Sequence, residues 1–117
     1  MIVTVIYVAL GGALGSVLRV LLGTTASFPF GTLWVNILGS FLIGAAWVSG
    51  LDKSSGIYPF FILGILGGFT TFSTFSLDAL KLTQAGQPVA AASYVLGSVA
   101  LSLLAVGLGA WVAGQLP

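Results

Sequence analysis

Apolar residues occur in four long stretches along the chain, separated by short connections that contain polar residues or proline. The stretches cover residues 2–22, 31–51, 57–83 and 89–113. Each is long enough to cross roughly 30 Å of hydrocarbon, which takes about 20 helical residues. The pattern predicts an all-α integral membrane protein whose four transmembrane helices form one domain over residues 1–117.

The third stretch contains a segment that is poorly suited to a regular helix. Gly64–Phe75 combines three glycines, which loosen the backbone, with Thr and Ser hydroxyls, which compete for backbone hydrogen bonds. Non-helical backbone at membrane depth needs protein or a wet cavity around it, and such discontinuous helices often bind ions or substrates. We predict a break near residues 67–74. The alternative is a kinked helix whose hydroxyls bond to its own carbonyls.

Polar side chains recur at every fourth position in the second and fourth stretches, so that each set shares one helix face. The two stripes are Thr32, Asn36 and Ser40, and Tyr94, Ser98 and Ser102. Hydrogen bonds between helices are one explanation of such stripes. Together with the hydroxyl-rich break, however, the two stripes favour a path for water or ions.

The first stretch places Gly11, Gly15 and Arg19 on one face. The two glycines form a G-x-x-x-G pair, which is suited to close helix packing. Arg19 is expected to extend to the membrane surface; capping of carbonyls or attraction of anions to a vestibule is the alternative. Asp78 and Lys81, three residues apart, are expected to form a pair near the end of the third helix.

Composition narrows the possible chemistry. Of 117 residues, 58% are hydrophobic, three are basic, two are acidic, and His and Cys are absent. So much apolar surface requires a bilayer as solvent. Without His, Cys, Glu or a carboxylate pair the chain lacks catalytic equipment, so we expect no enzyme. A net charge of +1 gives no reason to expect a nucleic-acid partner.

The groups that remain available are hydroxyls, one asparagine amide in the second stretch, and phenyl rings. Hydroxyl and amide donors suit an anion, and a phenyl ring presents a positive edge. Phe72 and Phe75, which are interleaved with hydroxyls, are therefore predicted to line an anion path in addition to packing. Proton-coupled transport is disfavoured, because it usually relies on buried ionisable groups.

Basic groups are distributed almost evenly between the two predicted membrane sides. The amino terminus and Lys53 lie on one side, and Arg19 and Lys81 on the other. Because Lys and Arg hold short loops in the cytoplasm, this balance favours insertion in both orientations and an antiparallel dimer. The alternative is that a weak bias still sets a single orientation.

Three motifs resemble one family. They are Gly11-Gly-Ala-Leu-Gly-Ser-Val-Leu-Arg19, Gly31-Thr-Leu-Trp-Val-Asn-Ile-Leu-Gly-Ser-Phe41 and Gly68-Phe-Thr-Thr-Phe-Ser-Thr-Phe75. Together they resemble the CrcB/Fluc fluoride channels over the whole chain. The resemblance implies a passive channel that exports fluoride across the microbial plasma (inner) membrane and relieves fluoride toxicity. It also implies an antiparallel, dual-topology homodimer embedded in membrane lipid.

The resemblance implies a role for particular residues as well. The implied anion-pore residues are Asn36, Phe72, Ser73, Thr74, Phe75, Tyr94 and Ser102. Arg19 resembles the vestibule arginine of the family. The backbone carbonyls of Gly67 and Thr70 resemble those that hold a structural Na⁺ at the dimer interface.

Two other functions fit part of the pattern. A small multidrug exporter also has four spans and a similar length, but it needs a membrane-embedded Glu to exchange protons for cations, and this chain has none. A non-transporting membrane scaffold explains the glycines, but it explains neither the polar stripes nor the Thr-Thr-Phe-Ser-Thr-Phe run.

Overall fold

The computed structural model describes residues 1–117 and contains no strand. Its helices are α1 (Ile2–Gly23), α2 (Phe30–Val48), a π-helix (Pro59–Leu66), α3 (Gly67–Phe69), α4 (Ser73–Gln84) and α5 (Pro88–Gly114). The π-helix, α3 and α4 together make up the third span. The chain therefore has four helical spans that are long and apolar enough to cross a membrane, which confirms the predicted all-α membrane architecture.

Helix ends lie within three residues of the predicted ones. The largest difference is in α2, which ends at Val48, three residues before the predicted end at Leu51. Gly50 has a φ of 80°, a left-handed conformation that glycine adopts without steric cost and that ends helical geometry. The π-helix and α5 both have proline in the first turn, where a missing N–H costs no hydrogen bond.

The spans pack as two groups. In the first, α1 lies along the π-helix and α3. In the second, α5 packs against both α2 and α4. The third span thus begins in one group and ends in the other. The non-helical residues between α3 and α4 lie where the chain passes from the first group to the second.

Helical hydrogen bonding stops at that crossing. The Thr70 N–H still donates to the Leu66 carbonyl oxygen at 3.1 Å, but the Thr70 backbone is extended, with φ −84° and ψ 157°. Helical geometry resumes with α4 at Ser73. We call residues 70–72 the connecting segment.

Glycines allow the backbones of α1 and the third span to touch. A Cβ atom at Gly11 would overlap the carbonyl oxygen of Phe60, and one at Gly15 would overlap that of Ile65. On the facing helix, a Cβ at Gly68 would lie 2.7 Å from the Gly12 carbonyl oxygen. The predicted close packing at Gly11 and Gly15 is confirmed. The third span also has glycines at this contact.

Little of the chain is buried in its own interior. Only 20 of 117 residues are buried, and large apolar side chains cover the outside of every span. In water this surface would be unstable, whereas lipid chains solvate it. Because lipid gives no hydrophobic drive to helix association, the contacts at small residues carry much of the packing energy.

We predict that Gly15→Ala destabilises the fold by about 1–3 kcal/mol, the usual range for overpacking a close contact. The new methyl group would meet the backbone of Ile65, which has no flexible end that can yield. Gly12→Ala is the matched control, because a Cβ there meets nothing within 4 Å. Thermal unfolding in detergent, followed by gel filtration, measures both variants. Equal stability of the two variants would contradict the packing account.

Candidate functional site

A cavity of about 480 Å³ lies between α2, the connecting segment and α5. We call it the first cavity. Its lining combines hydroxyls, one amide and two phenyl rings with small and aliphatic residues, and it contains no ionisable side chain. The lining residues are Asn36, Gly39, Ser40, Ile43, Leu66, Gly67, Thr70, Thr71, Phe72, Phe75, Ser98, Val99 and Ser102.

Asn36 reaches from α2 to the connecting segment. Its Nδ2 donates to the carbonyl oxygen of Thr71 at 2.9 Å, and its Oδ1 accepts from the Thr71 N–H at 2.8 Å. The amide therefore engages both backbone groups of a single residue. One Nδ2 hydrogen remains beyond these two bonds.

Hydroxyls complete the hydrogen bonding around the connecting segment. Thr70 Oγ1 donates to the Leu66 carbonyl oxygen, and Ser76 Oγ donates to that of Phe72. Thr71 Oγ1 accepts from the Thr74 N–H at 3.2 Å, which caps the first turn of α4. Hydroxyls do bond to nearby carbonyls, as the kinked-helix alternative expects. The segment that they flank, however, is not helical.

Three aromatic rings form a row beside the first cavity. The ring centroids of Phe72 and Phe75 are 5.5 Å apart, and those of Phe75 and Tyr94 are 5.4 Å apart. The Tyr94 hydroxyl ends the row by donating to Asp78 Oδ2 at 3.1 Å, with both residues buried. Phe75 is 8% exposed, whereas Phe72 is 78% exposed in the single chain.

A second cavity of about 400 Å³ lies on the α1 side of the connecting segment. It is lined by Arg19 and Asp78 together with Thr32, Thr71 and Thr74 and with residues of the α1–α2 connection. Thr71 lines both cavities, so the connecting segment contributes to the wall between them. The first cavity is uncharged, and the second contains one cationic and one acidic side chain.

The structure decides two sequence-based expectations about charged residues. Arg19 caps a carbonyl, as the alternative for this residue expects: its Nε donates to the carbonyl oxygen of Gly68 at 3.1 Å, just before the connecting segment. Asp78 does not pair with Lys81, because its carboxylate faces Tyr94 inside the bundle. The Lys81 ammonium lies 5.8 Å from the ring centre of Phe28 instead.

The residues singled out by sequence are distributed unevenly. The first cavity brings together Asn36, Phe72, Phe75 and Ser102, whereas Arg19 and Thr74 line the second cavity. Tyr94 lines neither cavity, and its ring packs against the ring of Phe75. Ser73 lines neither and is exposed.

The predicted pore residues do not include Ser98, although it belongs to the polar stripe of the fourth stretch. It is 5% exposed, lines the first cavity, and its hydroxyl has no hydrogen-bond partner. A buried hydroxyl without a partner is rare in a folded protein and calls for water, an ion or another polar group beside it. Its position midway between Tyr94 and Ser102 was the available signal.

Two backbone carbonyls at the connecting segment lack a donor. Arg19 takes the carbonyl oxygen of Gly68, but none of the hydrogen bonds in the chain reaches the carbonyl oxygens of Gly67 or Thr70. Gly67 and Thr70 both line the first cavity. These two carbonyl oxygens are therefore free to accept a hydrogen bond from water or to bind a cation.

Four apolar spans around two polar cavities define a small multi-pass membrane protein whose interior suits solute passage. The chain matches the family described as "CrcB-like protein, Camphor Resistance (CrcB)" over residues 6–110. A match over this much of its length shows that the chain belongs to the CrcB family.

Named relatives cover nearly the whole chain. It is 47% identical over 114 residues to "Fluoride-specific ion channel FluC" of Rhizobium meliloti strain 1021, covering 90% of this chain and 91% of the relative. A protein of the same name from Hahella chejuensis is 48% identical over 113 residues, covering 89% of each. One from Helicobacter acinonychis is 45% identical over 118 residues, covering 92% of this chain and 93% of the relative.

Proposed function

We propose that this chain is the subunit of a fluoride-selective ion channel in the plasma (inner) membrane, which lets fluoride leave a microbial cell and so relieves its toxicity. The observation that carries the proposal is that relatives 45–48% identical over about nine-tenths of the chain are named fluoride-specific ion channels. The protein is a channel, not an enzyme.

The first cavity provides suitable chemistry for a small anion. Its polar groups are the amide of Asn36 and the hydroxyls of Ser98 and Ser102, with the rings of Phe72 and Phe75 beside them. Neutral N–H and O–H donors bind an anion without the strong attraction of a fixed cation, which would hinder its release. Phenyl ring edges carry a partial positive charge and add weak attraction along the path.

The uncharged lining of the first cavity supports passive conduction. No ionisable side chain lines the first cavity. A proton-coupled exporter needs a group there whose charge changes during the cycle. The same argument excludes the multidrug-exporter alternative, because this chain has no Glu in any helix.

The proposed anion-pore residues are the ones that the sequence suggested: Asn36, Phe72, Ser73, Thr74, Phe75, Tyr94 and Ser102. Arg19 remains the proposed vestibule residue, since it lines the second cavity, whose volume of about 400 Å³ has room for an ion. Its hydrogen bond to Gly68 still leaves the guanidinium charge at that cavity. We add Ser98 to the pore set because its unpartnered hydroxyl lines the first cavity.

A second copy in the opposite orientation would complete the channel as an antiparallel homodimer. Three features support this proposal: the balanced basic residues, the 78% exposure of Phe72, and the carbonyls at Gly67 and Thr70 that find no donor within the chain. A two-fold axis near the connecting segment would bring both sets of carbonyls together. The proposed helix break then lies at the dimer centre.

A structural Na⁺ suits that centre. The Gly67 and Thr70 carbonyl oxygens are hard, neutral ligands without hydrogen bonds, and two chains would supply four of them. A monovalent cation there would satisfy these oxygens and raise the potential for a nearby anion.

Replacing Phe75 by Ile is expected to reduce fluoride flux at least about tenfold, the effect of roughly 1.4 kcal/mol on the conduction barrier. Ile keeps an apolar side chain but has no positive ring edge. Phe61→Ile is the control, since Phe61 lies outside both cavities on the lipid-facing side of the π-helix. A fluoride electrode records efflux from proteoliposomes. Near-normal flux in a folded Phe75→Ile protein would return this ring to a packing role.

Dual insertion is testable because the chain has no native cysteine. Ser54→Cys and Gln87→Cys place single thiols in connections on opposite membrane sides. A membrane-impermeant maleimide added to intact cells should label about half of each variant if both orientations coexist. Complete labelling of one variant with none of the other would establish a single orientation.

Removal of Na⁺ should weaken the assembled channel. Purification in a buffer with N-methyl-D-glucamine as the only cation is expected to lower both fluoride flux and dimer stability, and added Na⁺ should restore both. The reason is that four carbonyl oxygens would lose their only partner. Flame photometry verifies depletion. If Na⁺ is absent and neither quantity changes, the central cation is not required.

A further inference from the structure

Asn36 forms a two-point contact with the backbone of the connecting segment. Its Nδ2 and Oδ1 engage the carbonyl oxygen and the N–H of Thr71, at 2.9 and 2.8 Å. A peptide group in an antiparallel ladder makes the same exchange of donor and acceptor with one residue of the neighbouring strand. We call this contact the Asn36–Thr71 pair.

Hydrogen bonding determines the orientation of the Asn36 amide. Turning it over would set Nδ2 against the Thr71 N–H and Oδ1 against the Thr71 carbonyl oxygen, so that like partners would face each other. No other hydrogen bond reaches the Thr71 N–H or carbonyl. The Asn36 side chain is therefore the sole partner of both backbone groups.

Thr71 is connected to the elements that form the rest of the site. Its hydroxyl caps the Thr74 N–H in the first turn of α4, the helix that carries Phe75. Phe72 follows Thr71 directly, and its ring lies 5.5 Å from that of Phe75. A shift of the Thr71 backbone would therefore move both phenyl rings relative to α2.

Gly39 allows α2 to come near enough for this contact. A Cβ atom at Gly39 would overlap the Thr70 side chain and press on the ring of Phe69. Asn36 lies one helical turn before Gly39, on the same face. A short side chain such as Asn reaches the Thr71 backbone only because the helix axis lies this close.

We propose that Asn36 is a positioning residue, which holds the connecting segment and thereby sets the place of Phe72 and Phe75 in the anion path. The proposal rests on the proposed channel function. It is distinct from direct contact between Asn36 and the ion. Direct contact needs only the Nδ2 hydrogen left over from the Asn36–Thr71 pair, whereas positioning needs the Thr71 N–H.

An ester in place of the peptide bond at residue 71 separates the two roles. Incorporating the α-hydroxy analogue of threonine removes the Thr71 N–H while keeping the Thr71 side chain and the whole of Asn36. This N–H makes no helical hydrogen bond, but the ester also makes the Thr70 carbonyl oxygen a weaker ligand. Flux is therefore compared in standard and in high Na⁺, and a loss that high Na⁺ does not restore is assigned to the Asn36–Thr71 pair. An ester at Ala105, in the regular part of α5, is the matched control.

Fluoride efflux from proteoliposomes is the first measurement. We expect the residue-71 ester to reduce flux by about tenfold, the scale of one hydrogen bond lost from the conducting conformation. The Ala105 ester should conduct within about twofold of wild type, since Ala105 lies in a regular turn of α5 and lines neither cavity. Wild-type flux in the residue-71 ester, with Asn36→Leu inactive, would overturn the proposal and make Asn36 a direct ligand.

Amide hydrogen exchange, read by NMR on protein with ¹⁵N-threonine and without fluoride, is the second measurement. Asn36→Leu should accelerate exchange at Thr71 and at the Thr74 amide that Thr71 caps, while Thr24, whose amide donates to the Val20 carbonyl oxygen at the end of α1, keeps its wild-type rate. Asn36→Asp retains the acceptor for the Thr71 N–H, so its Thr71 amide should remain protected. Wild-type exchange at Thr71 and Thr74 in Asn36→Leu would overturn the proposal.

The two measurements fail independently. If wild-type protein carries no fluoride, the proposed function is wrong, and the exchange rates still report whether Asn36 holds the segment. If Asn36→Leu does not give a single folded species on gel filtration, the test relies on the residue-71 ester, which keeps all native side chains. A folded ester with full flux counts against the proposal in that case also.

Discussion

Hydrogen bonding of the backbone at membrane depth is the constraint on which this structure depends. A continuous helix satisfies its own peptide groups, but the third span gives up that arrangement at residues 70–72. Other parts of the chain then supply the partners. Arg19 from α1 takes the Gly68 carbonyl, and Asn36 from α2 takes both groups of Thr71. Side chains from both helix groups therefore hydrogen-bond to the third span at this interruption or beside it.

Sequence predicted the parts of the fold that follow from local pattern. Four apolar stretches specify four spans, because hydrocarbon thickness fixes the length of each. The G-x-x-x-G pair at Gly11 and Gly15 specifies a close contact, because no larger residue leaves room for a backbone. The predicted end of α2 at Leu51 was less accurate, since the helix ends at Val48 and Gly50 turns the backbone, a stop signal that the apolar length alone does not reveal.

Partners in the site were harder to predict, because the contacts join residues far apart in sequence. Arg19 and Gly68 are 49 positions apart, and Asn36 and Thr71 are 35 apart. A spacing rule suggested that Asp78 would pair with Lys81, yet Asp78 lies on the buried face of α4, opposite Tyr94. Periodicity identifies which residues share a face; it does not identify the partner that meets the face.

Small residues and polar residues therefore act together in this protein. A glycine contact lets a helix approach the third span closely, and a polar side chain one turn away can then bond to the facing backbone. Gly39 and Asn36 make this combination on α2, and Gly15 and Arg19 make it on α1. The non-helical segment is stable in the membrane because both helices approach it closely. That approach leaves the Gly67 and Thr70 carbonyls as the groups open to an external partner.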